Sequence, residues 1–142
     1  MEWRNRTSCL HFLRRATQFG DAATLMEDDL DAYSDVVAVA AVHGAIALVD
    51  AILEGFGDGR SRDQNHKTAV VRLTTLCGRN RIPTDGIQHF TKLLSQKTEF
   101  SYGDKRLNFE RVKAAVVHFQ RLLTWSFRNF PISEEKTDEI AS

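Results

Sequence analysis

Arg60, Arg62, His66 and Lys67 lie together in the stretch Gly-Arg-Ser-Arg-Asp-Gln-Asn-His-Lys. Guanidinium groups grip phosphate oxygens bidentately, and an imidazole exchanges a proton near neutral pH. Asp63 reads as the cap of a helix whose first turn holds His66, so the unpaired backbone N–H groups of that turn would face the same anion. A helix-start dipole and nearby arginines both disfavour imidazolium, which leaves His66 neutral and available as a general base. With Arg60 or Arg62 on the phosphate, the pair has the parts for metal-independent cleavage of RNA, the 2′-hydroxyl serving as internal nucleophile. A solvated capping loop, its histidine packed on a neighbouring helix, would use the same residues for structure alone.

Arg79, Asn80 and Arg81 follow Gly78 as a second basic knot. With Lys67 they are candidate anion contacts, or else the loop that ends a helix. His89 lies ten positions beyond Arg79. His43 and Asp50 stand seven positions apart, on one helix face and two turns from each other. Buried ionisable groups need partners, and an arginine or Tyr102 from another helix would serve. His43, Asp50 and Tyr102 are therefore read as supporting residues. A metal held by His43, Asp50 and His66 would call for HxxxH or ExxH spacing, which the chain lacks. No metal and no cofactor are expected.

These groups sit in a chain whose net charge of zero hides a segregation. From Asp21 to Asp58 there are nine acidic residues and no Lys or Arg, whereas Arg60 to Phe130 carries fourteen basic and five acidic ones. If the two stretches fold onto different faces, a neutral molecule still presents a basic surface to a polyanion; if they meet across helix contacts, they neutralise each other. The 142 residues, 42% of them hydrophobic, fit one domain with a substantial core. Cys9 and Cys77 form no CxxC unit and follow a polar N-terminus, so free thiols and a cytoplasmic location are expected. Residues 36–53 are apolar enough to suggest a membrane span, but six of the eighteen are Ala, and His43 and Asp50 interrupt them. One charge near mid-span costs roughly 3 kcal/mol, so a buried helix is the better reading and no membrane partner is expected.

The elements that must position these residues are all helical. Leu10, Leu13, Ala16, Phe19, Ala23, Met26 and Leu30 place a first helix over about 8–29, with Gly20 as a point of bending. Asp31 offers the cap of a second, running to about Glu54 and apolar nearly all round, the centre of the fold. A third runs from about Gln64 to Leu76 and stops at Gly78. Pro83 and Thr84 open a fourth, with Ile87, Phe90, Leu93 and Leu94 inward. After a turn over Phe100–Arg106, Asn108 caps the last, with Leu107 and Val112 as a hydrophobic staple and Val112, Val116, Phe119, Leu123, Phe127 and Phe130 as its stripe. Strand alternation and hairpin dipeptides are missing. The expected fold is all-α, an up-and-down bundle of four to five helices over residues 1–130. Residues 131–142, rich in Asp and Glu, are expected to form an acidic, disordered tail. Trp125, Phe127 and Phe130 belong either to the core or to a homodimer seam.

The order of these pieces resembles the HEPN superfamily (higher eukaryotes and prokaryotes nucleotide-binding domain). The likeness lies in Ala-Val-His-Gly-Ala-Ile-Ala-Leu-Val-Asp-Ala-Ile-Leu on the second helix, Gly-Arg-Ser-Arg-Asp-Gln-Asn-His opening the third, and Phe-Ser-Tyr before a final helix with Phe119 and Trp125, over about residues 30–130. The resemblance implies a HEPN-like helical bundle, usually dimeric, from prokaryotic toxin–antitoxin or defence systems. Some members cleave RNA without metal, and others are non-catalytic partners of nucleotidyltransferases. The ribonucleases carry an Arg followed four to six residues later by a His, often with Asn directly after the Arg. Arg60 and His66 have that spacing, but Ser61 follows the Arg; Arg79 and Asn80 make the opening pair, but His89 is too distant. The active members also hold the motif nearer the last helices, whereas His66 opens the third. The expectation is a dimeric module binding a polyanion (RNA or nucleotide) or a protein partner such as an antitoxin or nucleotidyltransferase. A metal-independent endoribonuclease and a structural oligomer are the alternatives.

Overall fold

Asn5 opens the first helix by accepting the Ser8 N–H at 3.1 Å, and from there every regular element among the described residues is helical. The computed structural model describes residues 1–63 and 65–132. Among these, α1 (Arg6–Met26) and α2 (Leu30–Phe56) are joined by a 3-10 turn at Glu27–Asp29, followed by α3 (Lys67–Arg79), α4 (Ile87–Ser95), α5 (Lys97–Tyr102) and α6 (Phe109–Asn129). Five helices of nine residues or more, plus the short α5, make an all-α bundle with no strand among the described residues. Gln64 and residues 133–142, which include most of the expected acidic tail, lie outside the described residues. Ile132, just before them, is 4% exposed.

The centre is α2, which packs against every other helix. Its buried residues run almost without a break from Val37 to Leu53, as an apolar circumference requires. The apolar stretch long enough to cross a membrane lies within Arg6–Phe56 and is 78% buried inside the protein. The cap of α2 is Asp29, not Asp31: its carboxylate accepts the Ala32 N–H at 3.3 Å. Leu30, 6% exposed, is drawn into the core and starts the helix early. Asp31 instead pairs with Arg106 at 2.8 Å.

Gly20 does not bend α1, which runs unbroken. A Cβ there would stand 2.5 Å from the Phe119 ring, and one at Gly44 would stand 2.8 Å from the ring's other edge. The two glycines let Phe119 of α6 lie between the backbones of α1 and α2, and this close approach sets the seam of the bundle. Trp125 and Phe130 belong to the core, at 3% and 2% exposure, with Phe130 stacked on Phe56 at 5.9 Å between centroids. Phe127 is partly buried beside them. The inward face of α6 passes through Leu122 and Trp125, leaving Leu123 and Phe127 at its margin.

Other boundaries also moved. Gly78 lies inside α3, which ends at Arg79. The left-handed position that stops the chain is Arg81, at φ 57°, and the Asn80 side chain donates to the Leu76 carbonyl at 2.9 Å. Phe100, 4% exposed, anchors the helix α5 where a turn was expected. Asn108 caps α6 as anticipated, accepting the N–H groups of Glu110 and Arg111, and Leu107 and Val112 are both buried.

Candidate phosphate-binding cleft

Between α2 and α5 residues 60–63 with Asn65 and His66 form one wall of a cleft of about 770 Å³. The loop supplies Arg60, Ser61, Arg62, Asp63, Asn65 and His66; α2 supplies Asp50; Leu94, Lys97, Thr98 and Tyr102 complete the lining. The loop is held from behind. Gly57 and Gly59 both donate to the Leu53 carbonyl, and Arg72 of α3 donates to the carbonyls of Gly59 and Arg60 at 3.0 and 3.4 Å.

Asp63 does not cap α3 in the expected way. Its carboxylate accepts the Asn65 N–H at 3.0 Å and the Thr68 hydroxyl at 3.2 Å, and these hydrogen bonds, the Asn65 N–H foremost, hold its pKa low. That local turn throws His66 into the left-handed region at φ 56°. His66 is therefore the residue before α3, not part of its first turn, and its carbonyl receives the Ala69 and Val70 N–H groups. A non-glycine residue in this conformation is strained, and such strain concentrates at functional positions. His66 Nδ1 is buried with no hydrogen-bond partner among the described residues. Its pKa is lowered as anticipated, but the causes differ. Burial acts first, then the Lys97 ammonium and His43, with Asp63 opposing.

Arg60 is more committed than its sequence position implies. Its guanidinium lies 5.0 Å from the Phe12 ring centroid and 4.0 Å from Glu54 Oε1, and its charge acts on Asp50. Arg62 is exposed and makes no ion pair among the described residues. Lys97, which no motif singled out, is the third cation of the cleft. Its only local signal was a basic residue three positions ahead of Phe100–Arg106, the segment read as a turn.

His43 and Asp50 share a face of α2, but of the two only Asp50 lines the cleft. His43 lies against Phe19, at 6.0 Å between centroids, with its pKa lowered by burial and Lys97. Asp50 sits by Arg60, Glu54 and Arg15, and burial pushes its carboxyl up to about 6. Tyr102, 82% exposed, stands at the rim. Lys67 is exposed on α3 and does not line the cleft. Arg79, Asn80 and Arg81 are elsewhere, at the end of α3, where Arg79 meets Asp58 at 3.5 Å. Among the described residues no three His, Cys, Asp or Glu side chains gather as metal ligands would. Cys9 and Cys77 are buried and form no disulfide, the Cys77 thiol pushed up to about 11 by burial.

Compared with known proteins, the chain matches no family profile, no curated protein and no solved structure.

Proposed function

We propose that this protein is a HEPN-like helical module that binds single-stranded RNA in the cleft between α2, the 57–66 loop and α5. The observation that carries this reading is the convergence of Arg60, Arg62, Lys97 and His66 on one hollow of about 770 Å³, a size that suits a nucleotide unit. Arg62 and Lys97 would take the phosphate, and the exposed ring of Tyr102 offers a base something to stack on. The HEPN resemblance adds a homodimer and a prokaryotic toxin–antitoxin or defence setting. Light scattering that returns the 16.1 kDa of one chain at high micromolar concentration would remove the dimer. RNA binding is tested by fluorescence titration: Arg62→Ala with Lys97→Ala should weaken it at least about tenfold. Unchanged affinity would move the function to a protein partner.

A second reading, metal-independent RNA cleavage, has one specific observation behind it. His66 lines the cationic cleft with a lowered pKa, so its imidazole is neutral at pH 7 and able to accept a proton. Purified protein would then degrade RNA in the presence of a chelator, and His66→Ala would abolish this with the melting curve preserved. Activity that survives the substitution would rule out His66 as the base.

A further inference from the structure

A second cluster of chemistry-bearing groups lies on the α4–α6 seam and shares no residue with the first cleft. His89 of α4 and His118 of α6 meet Nδ1 to Nδ1 at 2.9 Å, with ring centroids 5.2 Å apart. Two bare nitrogens cannot face each other at that distance, so the pair holds one proton between them. When His118 donates that proton, the single N–H of neutral His89 sits on Nε2, and that ring becomes a donor toward its surroundings.

Those surroundings form a hollow of about 250 Å³ whose lining includes Asp85, His89, Arg121, Thr124 and Arg128. Arg121 and Arg128 are exposed, seven positions apart on one face of α6, and neither has an ion-pair or hydrogen-bond partner among the described residues. The seam is rigid where it matters. Trp125 donates from Nε1 to the Pro83 carbonyl at 2.8 Å, and Gly86 lies so close to the indole that a Cβ would stand 2.1 Å from it. The start of α4 is thereby pressed on Trp125, which brings His89, one turn later, against His118.

Two convergent imidazoles could also hold a transition metal. The local charge decides against it: Arg121, Arg128 and Lys92 outnumber the single carboxylate of Asp85. The charges acting on the pair are Asp85 ahead of α4, Lys92 on α4 and Arg121 on α6, with none from α2, α3 or α5. Burial and these cations lower both pKa values, so the pair is neutral at pH 7 and has room for a second proton when an anion arrives.

We propose that the α4–α6 seam is a second phosphate site, in which Arg121 and Arg128 hold the phosphate oxygens and the His89–His118 pair supplies a hydrogen bond. Binding there draws a proton onto the pair, so it strengthens as pH falls from 7.5 to 6. The site stands independently of what occupies the first cleft.

Calorimetry on the full chain tests it, with inorganic phosphate as the first probe and two buffers of different ionisation enthalpy to count protons. In Arg62→Ala with Lys97→Ala, a background that removes two cations of the first cleft, the expected results are phosphate binding with proton uptake and loss of at least about tenfold in affinity when Arg121→Ala and Arg128→Ala are added. His118→Asn should weaken binding and abolish the proton uptake, and unchanged uptake in this variant would overturn the role of the pair. A paired titration with 5′-phosphorylated and 5′-hydroxyl oligoribonucleotides identifies the source. A preference for the former assigns a terminal monoester, and equal binding sensitive to the arginines assigns a backbone diester. The proposal is overturned if millimolar phosphate does not bind, if the arginine variants bind it as wild type does, or if the pair takes up Zn²⁺ in preference to phosphate.

Discussion

Asp50 is 7% exposed and carries the most consequential titration in the cleft. Burial raises its carboxyl from 3.8 to about 6, with Glu54 adding to the rise and Arg60 and Arg15 opposing it. Between those two pH values the folded chain holds a proton that the unfolded chain has released, so stability falls as pH rises from about 4 to 6 and is level above. At roughly 1.4 kcal/mol per pH unit the ionised group costs the fold about 3 kcal/mol at neutrality. Asp50→Asn keeps the shape without the charge, so it should raise stability above pH 6 by up to about 3 kcal/mol, the gain fading toward pH 4. Urea midpoints across that range measure this, and a gain equally large at pH 4 and pH 7 would disprove the burial argument. The sequence announced Asp50 and His43 as one face of a helix but not that they serve separate partners. That division depends on where loop 57–66 and α5 land. Arg60 was legible as a cation and not as a stacked one, because Phe12 reaches it from a helix 48 positions away.

Helix periodicity located all five long helices, since α1, α2 and α6 each bury a stripe that recurs at the expected spacing. It failed where glycine and aspartate were read by rule. Gly20 and Gly78 are both helical, yet only the first faces a neighbour: a Cβ at Gly20 or Gly44 would enter the Phe119 ring, while one at Gly78 meets nothing within 4 Å. Propensity alone favours alanine over glycine by about 1 kcal/mol in a helix interior. Gly78→Ala should therefore stabilise by about 0.5–1 kcal/mol. Gly44→Ala should destabilise by about 1–3 kcal/mol through overpacking, and Phe119→Leu should relieve part of that added cost. Denaturant unfolding of the four proteins and the double variant decides it. Additive losses for Gly44→Ala and Phe119→Leu would show that the ring is not what the glycine accommodates. Asp63 misled for a related reason: an Asx-type turn onto Asn65 competes with capping and delays α3 until Lys67.

Charge segregation along the chain only partly survives folding. Acidic residues of the 21–58 stretch take up Arg60, Arg79 and Arg106 through Glu54, Asp58 and Asp31, so those cations reach a polyanion already matched. Arg62 stays without an ion pair among the described residues and, with Lys97, faces the cleft. In the proposed RNA complex a molecule of zero net charge would be held through the cations that line the cleft, and the salt dependence of binding should count them. Each phosphate contact on a single strand contributes about 0.7 to the slope of log affinity against log salt. Arg62→Ala with Lys97→Ala should flatten that slope by about 1.4. Arg79→Ala with Arg81→Ala, which removes the same formal charge from the far end of α3, should leave both slope and affinity within about twofold of wild type, because exposed charges beyond a Debye length of roughly 8 Å are screened. Equal effects from the two pairs would mean that total charge governs binding and not the placement of cations in the cleft. The RNA reading would then lose its structural basis while the helical architecture remained.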